Sequence, residues 1–268
     1  MELTTIIGLV TGVVCVVVGI MLQGIFSDYI DIPSLFIVLG GTLAATILNY
    51  PLSSLKKLGK VISITFKKVD FDLHKTIKDI IDLANLARKE GLFALDNKAN
   101  EIEEPFFKKG LLLVVDGTDP ELIRNILETD LTLMEDRHKE CSAMLFSMSA
   151  YAPAFGMIGT LIGLIGMLKN LNDASTLGAG MSTALITTLY GCILANLLCT
   201  PMAGKLNAYT EKETQYKELV IEGLLSIQAG ENPRLIEEKL LSFMIKNDNV
   251  KDSKGGSSDK ESESNAKG

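Results

Sequence analysis

Tryptophan is absent from this 268-residue chain, histidine occurs only twice, and the four cysteines form no C-x-x-C pair. Metal and disulfide roles are therefore not expected, and Cys15, Cys192 and Cys199 sit in apolar runs where a free thiol acts as a small apolar filler. A more telling absence lies in four stretches, Thr4–Ile25, Ile32–Leu48, Phe146–Leu168 and Met181–Ala203. None contains Asp, Glu, Lys, Arg or His. Each is long enough to cross a bilayer, and lipid exposure carries no charge penalty. The same absence excludes a proton relay built from the chain's own side chains. A transport role would need a carboxylate supplied by a second protein. The first run follows Met1-Glu2 without a basic leader or a small-residue cleavage site, so it is expected to be retained. The net charge of −7 argues against a nucleic-acid partner.

The charges that are present orient the chain. Lys56, Lys57, Lys60, Lys67 and Lys68 follow the second stretch, Arg137 and Lys139 precede the third, and Lys205, Lys212 and Lys217 follow the fourth. The Ser27–Asp31 connection carries no Lys or Arg. The positive-inside bias places the insert between the second and third spans, and both termini, in the cytoplasm. The expected architecture is all-α: an integral membrane protein with four transmembrane helices and a helical cytoplasmic domain. Residues 1–50 hold the first two spans, 51–143 the cytoplasmic domain, 144–204 the last two spans and 205–246 a helical extension. The Asp-, Ser-, Lys-, Gly- and Glu-rich residues 247–268 form a tail too polar to order itself.

Within the insert, Asp72 caps a helix in which Leu73, Ile77, Ile80, Ala84 and Ala87 recur at helical steps, and Gly91 suits its end. Phe106, Phe107 and Leu111–Val115 form a second apolar segment closed by Asp116-Gly117. Asp119-Pro120-Glu121 then opens a further helix with a cap, a first-turn proline and a favourable acid. That helix meets no breaker before Pro153, so it is expected to run on into the third span, as Lys205–Ala229 extends the fourth. His74 and His138 lie among charged residues and read as solvated rather than catalytic.

The last two spans hold most of the intramembrane polarity. Gly156, Gly159, Gly163 and Gly166 strip side chains from one face of the third, which first of all serves close helix packing. Pro153 and Pro201 each withdraw an amide and free the carbonyl four residues earlier, at Ser149 and Leu197. A kink or polar pocket is expected at each. Counting 1.5 Å per residue, Thr160 lies about 12 Å and Thr188 about 10 Å inside the outer ends of their spans, at one level. Taken singly, each hydroxyl would bond its own preceding carbonyl. Together, with Ala184, Gly191 and Ala195 on the face of Thr188, they form a candidate polar ring in an oligomer.

The segments from Tyr151 to Leu164 (YAPAFGMIGTLIGL), Thr187 to Asn196 (TTLYGCILAN), Thr200-Pro201 and Arg88 to Asp96 (RKEGLFALD) resemble the flagellar stator A-subunit family, MotA, within the MotA/TolQ/ExbB proton channels. The resemblance covers nearly the whole chain. It implies five A subunits around a MotB dimer whose membrane aspartate carries the ion, with the third and fourth spans lining the centre. It also implies that Arg88 and Asp96 engage the rotor protein FliG, that Pro153 and Pro201 couple ion movement to conformational change, and that Thr188 lies beside the partner's aspartate. Many proton-driven members carry Ala where this chain has Thr160, and sodium-driven members combine hydroxyls in both spans. Mass action nevertheless favours a simple carboxylate cycle, so protons are the expected coupling ion and sodium the alternative. No cofactor is implied. The ExbB and TolQ energisers normally have a single N-terminal span before the cytoplasmic part, so the adjacent pair here favours a stator. A passive scaffold is the reading from another class. An enzyme is least expected, since no paired acids or nucleophile–base arrangement lies in the spans.

Overall fold

The computed structural model describes residues 3–56, 59, 71–169 and 174–242, and these are helical with no strand among them. Lys57, Lys60, Lys67 and Lys68 of the basic cluster, part of the connection after Lys169, and the tail from Asn247 lie outside the described residues. Four helical runs are long and apolar enough to cross a membrane: Thr4–Gln23, Phe26–Asn49, Pro120–Lys169 and Leu177–Gln228. The chain divides into two units, one of Met1–Val69 and Asp136–Tyr209, the other of Asp70–Glu135 and Thr210–Gly268.

In the first unit, α1 (Leu3–Gln23) is apolar on every side. Such a helix is stable in lipid because its backbone bonds are satisfied internally. The second span begins at α2 (Ile32–Leu35), where the Asp31 carboxylate accepts the Ser34 amide at 2.9 Å and Pro33 occupies the first turn. A π turn (Phe36–Gly40) separates it from α3 (Gly41–Asn49). The part of α7 (Pro120–Lys169) that belongs to this unit, residues 136–169, contains the third span. The fourth consists of α8 (Ala174–Ile193) and a second π turn (Leu194–Cys199), which leads into α9 (Thr200–Gln228). None of the four cysteines is in a disulfide.

The two prolines are accommodated differently. The helix passes through Pro153 without interruption. Ahead of Pro201 the chain widens instead: the Thr200 amide bonds the Ala195 carbonyl, five residues back, in place of the α partner at Asn196. Since Pro201 lacks an amide, a shift of hydrogen-bond register beside it is the usual way to accommodate the missing donor.

The second unit is a helical cluster. α4 (Leu73–Glu90) starts where Asp72 accepts the Lys75 amide at 3.0 Å and stops at Gly91, whose φ of 87° favours glycine. α5 (Leu95–Glu101) follows. α6 (Pro105–Val115) is capped by the Glu104 side chain on the Phe107 amide. The start of α7 uses Asp119, whose carboxylate accepts the Glu121 amide at 2.9 Å. Ile80, Leu95, Leu111, Leu127, Leu224 and Ile236 are fully buried in one core that draws on all these helices and on α10 (residues 233–242). Lys239 of α10 bonds Glu222 at 2.6 Å and Glu231 at 3.5 Å. Burial pushes the Glu222 carboxyl up, but the Lys239 bond and charge together with Arg124 outweigh it and hold the carboxyl below its usual value.

Candidate functional site

Close approach of α7 and α8 makes the site. A Cβ on Gly163 would lie 2.7 Å from the Gly180 carbonyl oxygen, and one on Gly191 would lie 2.6 Å from the Ala152 oxygen and 3.1 Å from Pro153 Cα. Both contacts are with backbone, so only a missing side chain permits them. A Cβ on Gly156 would likewise meet the Thr187 oxygen at 3.0 Å and Thr188 Cα at 3.2 Å. Gly156, Gly159 and Gly163 of the third span thus form a packing seam, whose partner strip on α8 includes Gly180, Ala184, Thr187 and Gly191, whereas nothing lies within 4 Å of a Cβ on Gly166.

That seam brings Thr160 and Thr188 together. Their hydroxyl oxygens are 2.7 Å apart. Thr160 Oγ1 is also placed to donate to the Gly156 carbonyl at 3.0 Å and across the seam to the Ala184 carbonyl at 3.1 Å. Thr188 Oγ1 reaches the same Ala184 carbonyl at 3.3 Å, and so does Thr187 Oγ1 at 2.9 Å, with Thr183 O as its other acceptor at 3.1 Å. Three hydroxyls therefore compete for one carbonyl, whose two lone pairs cannot serve them all in addition to a helix amide. Thr160 and Thr187 each have a second carbonyl to fall back on. When Thr160 donates to Thr188 Oγ1, the Thr188 proton is released to point elsewhere, and such a chain polarises and strengthens its last donor. An anionic oxygen beside Thr188 would receive a charge-assisted hydrogen bond.

The remaining residues singled out by sequence occupy other places. Pro153 lies beside the hydroxyl pair's seam, because Gly191, on the turn after Thr188, packs against it. Pro201 lies thirteen residues beyond Thr188, about 20 Å along a helix. Arg88 and Asp96 belong to the second unit, exposed on either side of the Gly91–Ala94 turn, and neither has an ion pair among the described residues. Between them Phe93 is 84% exposed.

Sequence reasoning missed three contributors. Thr187 is fully buried and sets the competition for the Ala184 carbonyl, a role hinted at only by its i+4 spacing from Thr183. Tyr190 donates to the Tyr29 carbonyl at 2.5 Å and accepts the Asp31 amide at 3.2 Å, tying the connection between the first two spans to α8. Phe93 carried no periodic signal, since it sits in a 3-10 turn rather than on a helical stripe.

Comparison with known proteins gives a consistent result. A model of the MotA/TolQ/ExbB proton channel family matches residues 98–219. The uncharacterized protein YtxD of Bacillus subtilis is 43% identical over 242 residues, 89% of each chain. Motility protein A of Borreliella burgdorferi is 42% identical over 252 residues, which span 92% of this chain and 96% of that one. Among solved structures, the flagellar MotAB stator complex from Bacillus subtilis matches with a TM-score of 0.84 at 33% identity, covering 92% of this chain and 97% of the other.

Proposed function

The chain belongs to the MotA/TolQ/ExbB proton channel family, and as a stator subunit of the flagellar motor we propose that it couples ion flow past the Thr160–Thr188 pair to torque on the rotor. The observation that carries this reading is the convergence of two intramembrane hydroxyls, 2.7 Å apart, in spans with no acid of their own. The likeness to the MotAB stator complex supports a MotB partner and an oligomeric assembly. The fuller picture is a homopentamer of this chain around a MotB dimer in the bacterial inner membrane, with both termini cytoplasmic. The partner's membrane aspartate binds and releases the ion. Thr188 donates to it, and Pro153, in van der Waals register with Gly191, transmits the change. Pro201 acts at the far end of the fourth span.

Two couplings fit that scheme. Protons ask only for the carboxylate, which is why mass action makes them the first reading. Sodium is favoured by one specific feature: Thr160 Oγ1 lies within hydrogen-bond distance of Thr188 Oγ1 and of the carbonyls of Gly156 and Ala184, and Thr188 Oγ1 also reaches the Ala184 carbonyl. Several such oxygens beside a carboxylate can replace a hydration shell. On the sodium reading, motor speed at fixed proton-motive force rises with sodium, and Thr160→Ala needs several-fold more sodium to reach half its maximal speed. Sodium-independent rotation of both forms returns the coupling to protons.

Rotor engagement is assigned to Arg88 and Asp96, whose unpaired, exposed charges flank the protruding Phe93. Reversal to Arg88→Glu or Asp96→Lys is expected to reduce swimming several-fold while complex yield and ion leak stay at parental levels. Complementary reversal on FliG should restore part of it. Charge at such an interface mainly sets orientation and encounter. Loss of the complex with MotB in both variants would assign the two residues to folding instead.

A further inference from the structure

On the second unit, α4, α5, the start of α6 and Tyr216 of α9 enclose a groove of about 840 Å³. Neither Arg88 nor Asp96 lines it. Six carboxylates line it against two lysines. Three of the six are already engaged: Asp72 and Glu104 cap helices, and Glu101 pairs with Lys98. Asp79, Asp82 and Glu103 are exposed and have no ion pair among the described residues. Apolar surface is present as well, since Phe71 stacks on Tyr216 with ring centres 4.9 Å apart and Phe107 lies in the wall.

Tyr216 supplies an independent observation. The residue is only 6% exposed, it lines the groove, and its hydroxyl has no hydrogen-bond partner among the described residues. Its hydroxyl is not sealed away from the groove, so an acceptor on an occupant can complete it. Burial, with Glu104 and Asp79 adding to it, pushes the phenol's pKa up and keeps it a donor. Its natural complement is an acceptor, which metal ions and fully protonated polyamines lack and a peptide carbonyl provides.

The dimensions agree with a chain-like occupant. From Asp72 to Leu86 the lining follows α4 for about 21 Å at the helical rise. An extended segment of about six residues covers that length. We propose that this groove binds an extended peptide segment of a partner protein in which Lys or Arg side chains alternate with apolar ones. The cations meet Asp79, Asp82 and Glu103, the apolar side chains meet Phe71 and Phe107, and a backbone carbonyl accepts the Tyr216 hydroxyl.

The test uses the full chain purified in neutral detergent with a fluorescein-labelled hexapeptide of alternating Arg and Leu, followed by anisotropy. Binding is expected to weaken at least tenfold in the Asp79→Asn/Asp82→Asn double variant and several-fold in Tyr216→Phe, which keeps the ring stack on Phe71. A Glu–Leu hexapeptide should not bind, and equimolar spermidine should not displace the basic one. Circular dichroism on each variant separates lost binding from lost fold. If either variant proves misfolded, Glu103→Gln, at an exposed site before α6, takes its place with the same expected direction. Absence of binding, equal affinity in folded variants, or displacement by spermidine at the peptide's own concentration overturns the proposal.

Discussion

Thr188→Val should abolish swimming while leaving the protein folded and assembled. Valine matches threonine in shape and branching, so the seam keeps its packing, and only a hydroxyl is removed. The hydrogen-bond count shows why the fold tolerates this. Thr160 loses one of three possible partners but retains the Gly156 and Ala184 carbonyls, and the Ala184 carbonyl retains Thr160 and Thr187. No buried polar atom is orphaned, so the usual cost of a broken network is avoided. What disappears is the one hydroxyl able to turn outward. A charge-assisted hydrogen bond contributes about 1.5–3 kcal/mol, which corresponds to roughly ten- to hundredfold in an ion-binding equilibrium. Rotation of tethered cells, read beside the amount of complex recovered with MotB, measures the effect. Parental rotation in Thr188→Val would reduce the hydroxyl pair to a packing contact.

Gly191→Ala should fail in the opposite way, losing assembly first and motility as a consequence. Its new methyl would lie 2.6 Å from the Ala152 oxygen and 3.1 Å from Pro153 Cα, and both are backbone atoms that no rotamer change can move aside. α7 and α8 must separate, the hydroxyl pair must lengthen, and overpacking of this kind typically costs about 1–3 kcal/mol. Gly19→Ala is the matched control, because nothing lies within 4 Å of its Cβ position. The expected results are a lower melting temperature and reduced complex recovery for Gly191→Ala, with Gly19→Ala close to the parent. Equal recovery of the two would show that the helices are not held at the separation described here.

The spans were legible because apolar runs without charge have one physical interpretation, and the predicted Thr4–Ile25 lies within two residues of α1 at its C-terminal end. Helix starts at Asp72 and Asp119 were readable for a similar reason, since a carboxylate before a periodic run leaves few alternatives. The meeting of Thr160 and Thr188 followed from depth and small-residue spacing. Its chemistry did not, because the competition for the Ala184 carbonyl depends on a contact across the seam that no local pattern encodes. Neither π turn was foreseen. Hydrogen-bond register is invisible to residue type, and a proline that predicts a lost amide does not say how the neighbouring turn adjusts. Tyr216 was equally opaque: on an amphipathic helix it reads as core, and only the cavity beside it distinguishes a sealed phenol from one facing an opening.

The π turn at Leu194–Cys199 changes how insertions and deletions should be read in this region. Gly191, Ala195, Cys199 and Ala203 are all buried, at three successive steps of four residues. In an ideal α-helix each such step advances 40° beyond a full turn, so the last would stand about 120° from the first. The wider turn absorbs that excess and returns Ala203 to the inward side. Removing one residue between 194 and 199 and restoring ordinary winding would leave eleven steps of about 100°, only about 20° beyond three full turns, so the helix downstream, Pro201 included, would keep its face. An alignment that places a single-residue gap here is therefore describing two helices that present the same downstream face, one wound with a π turn and one without it.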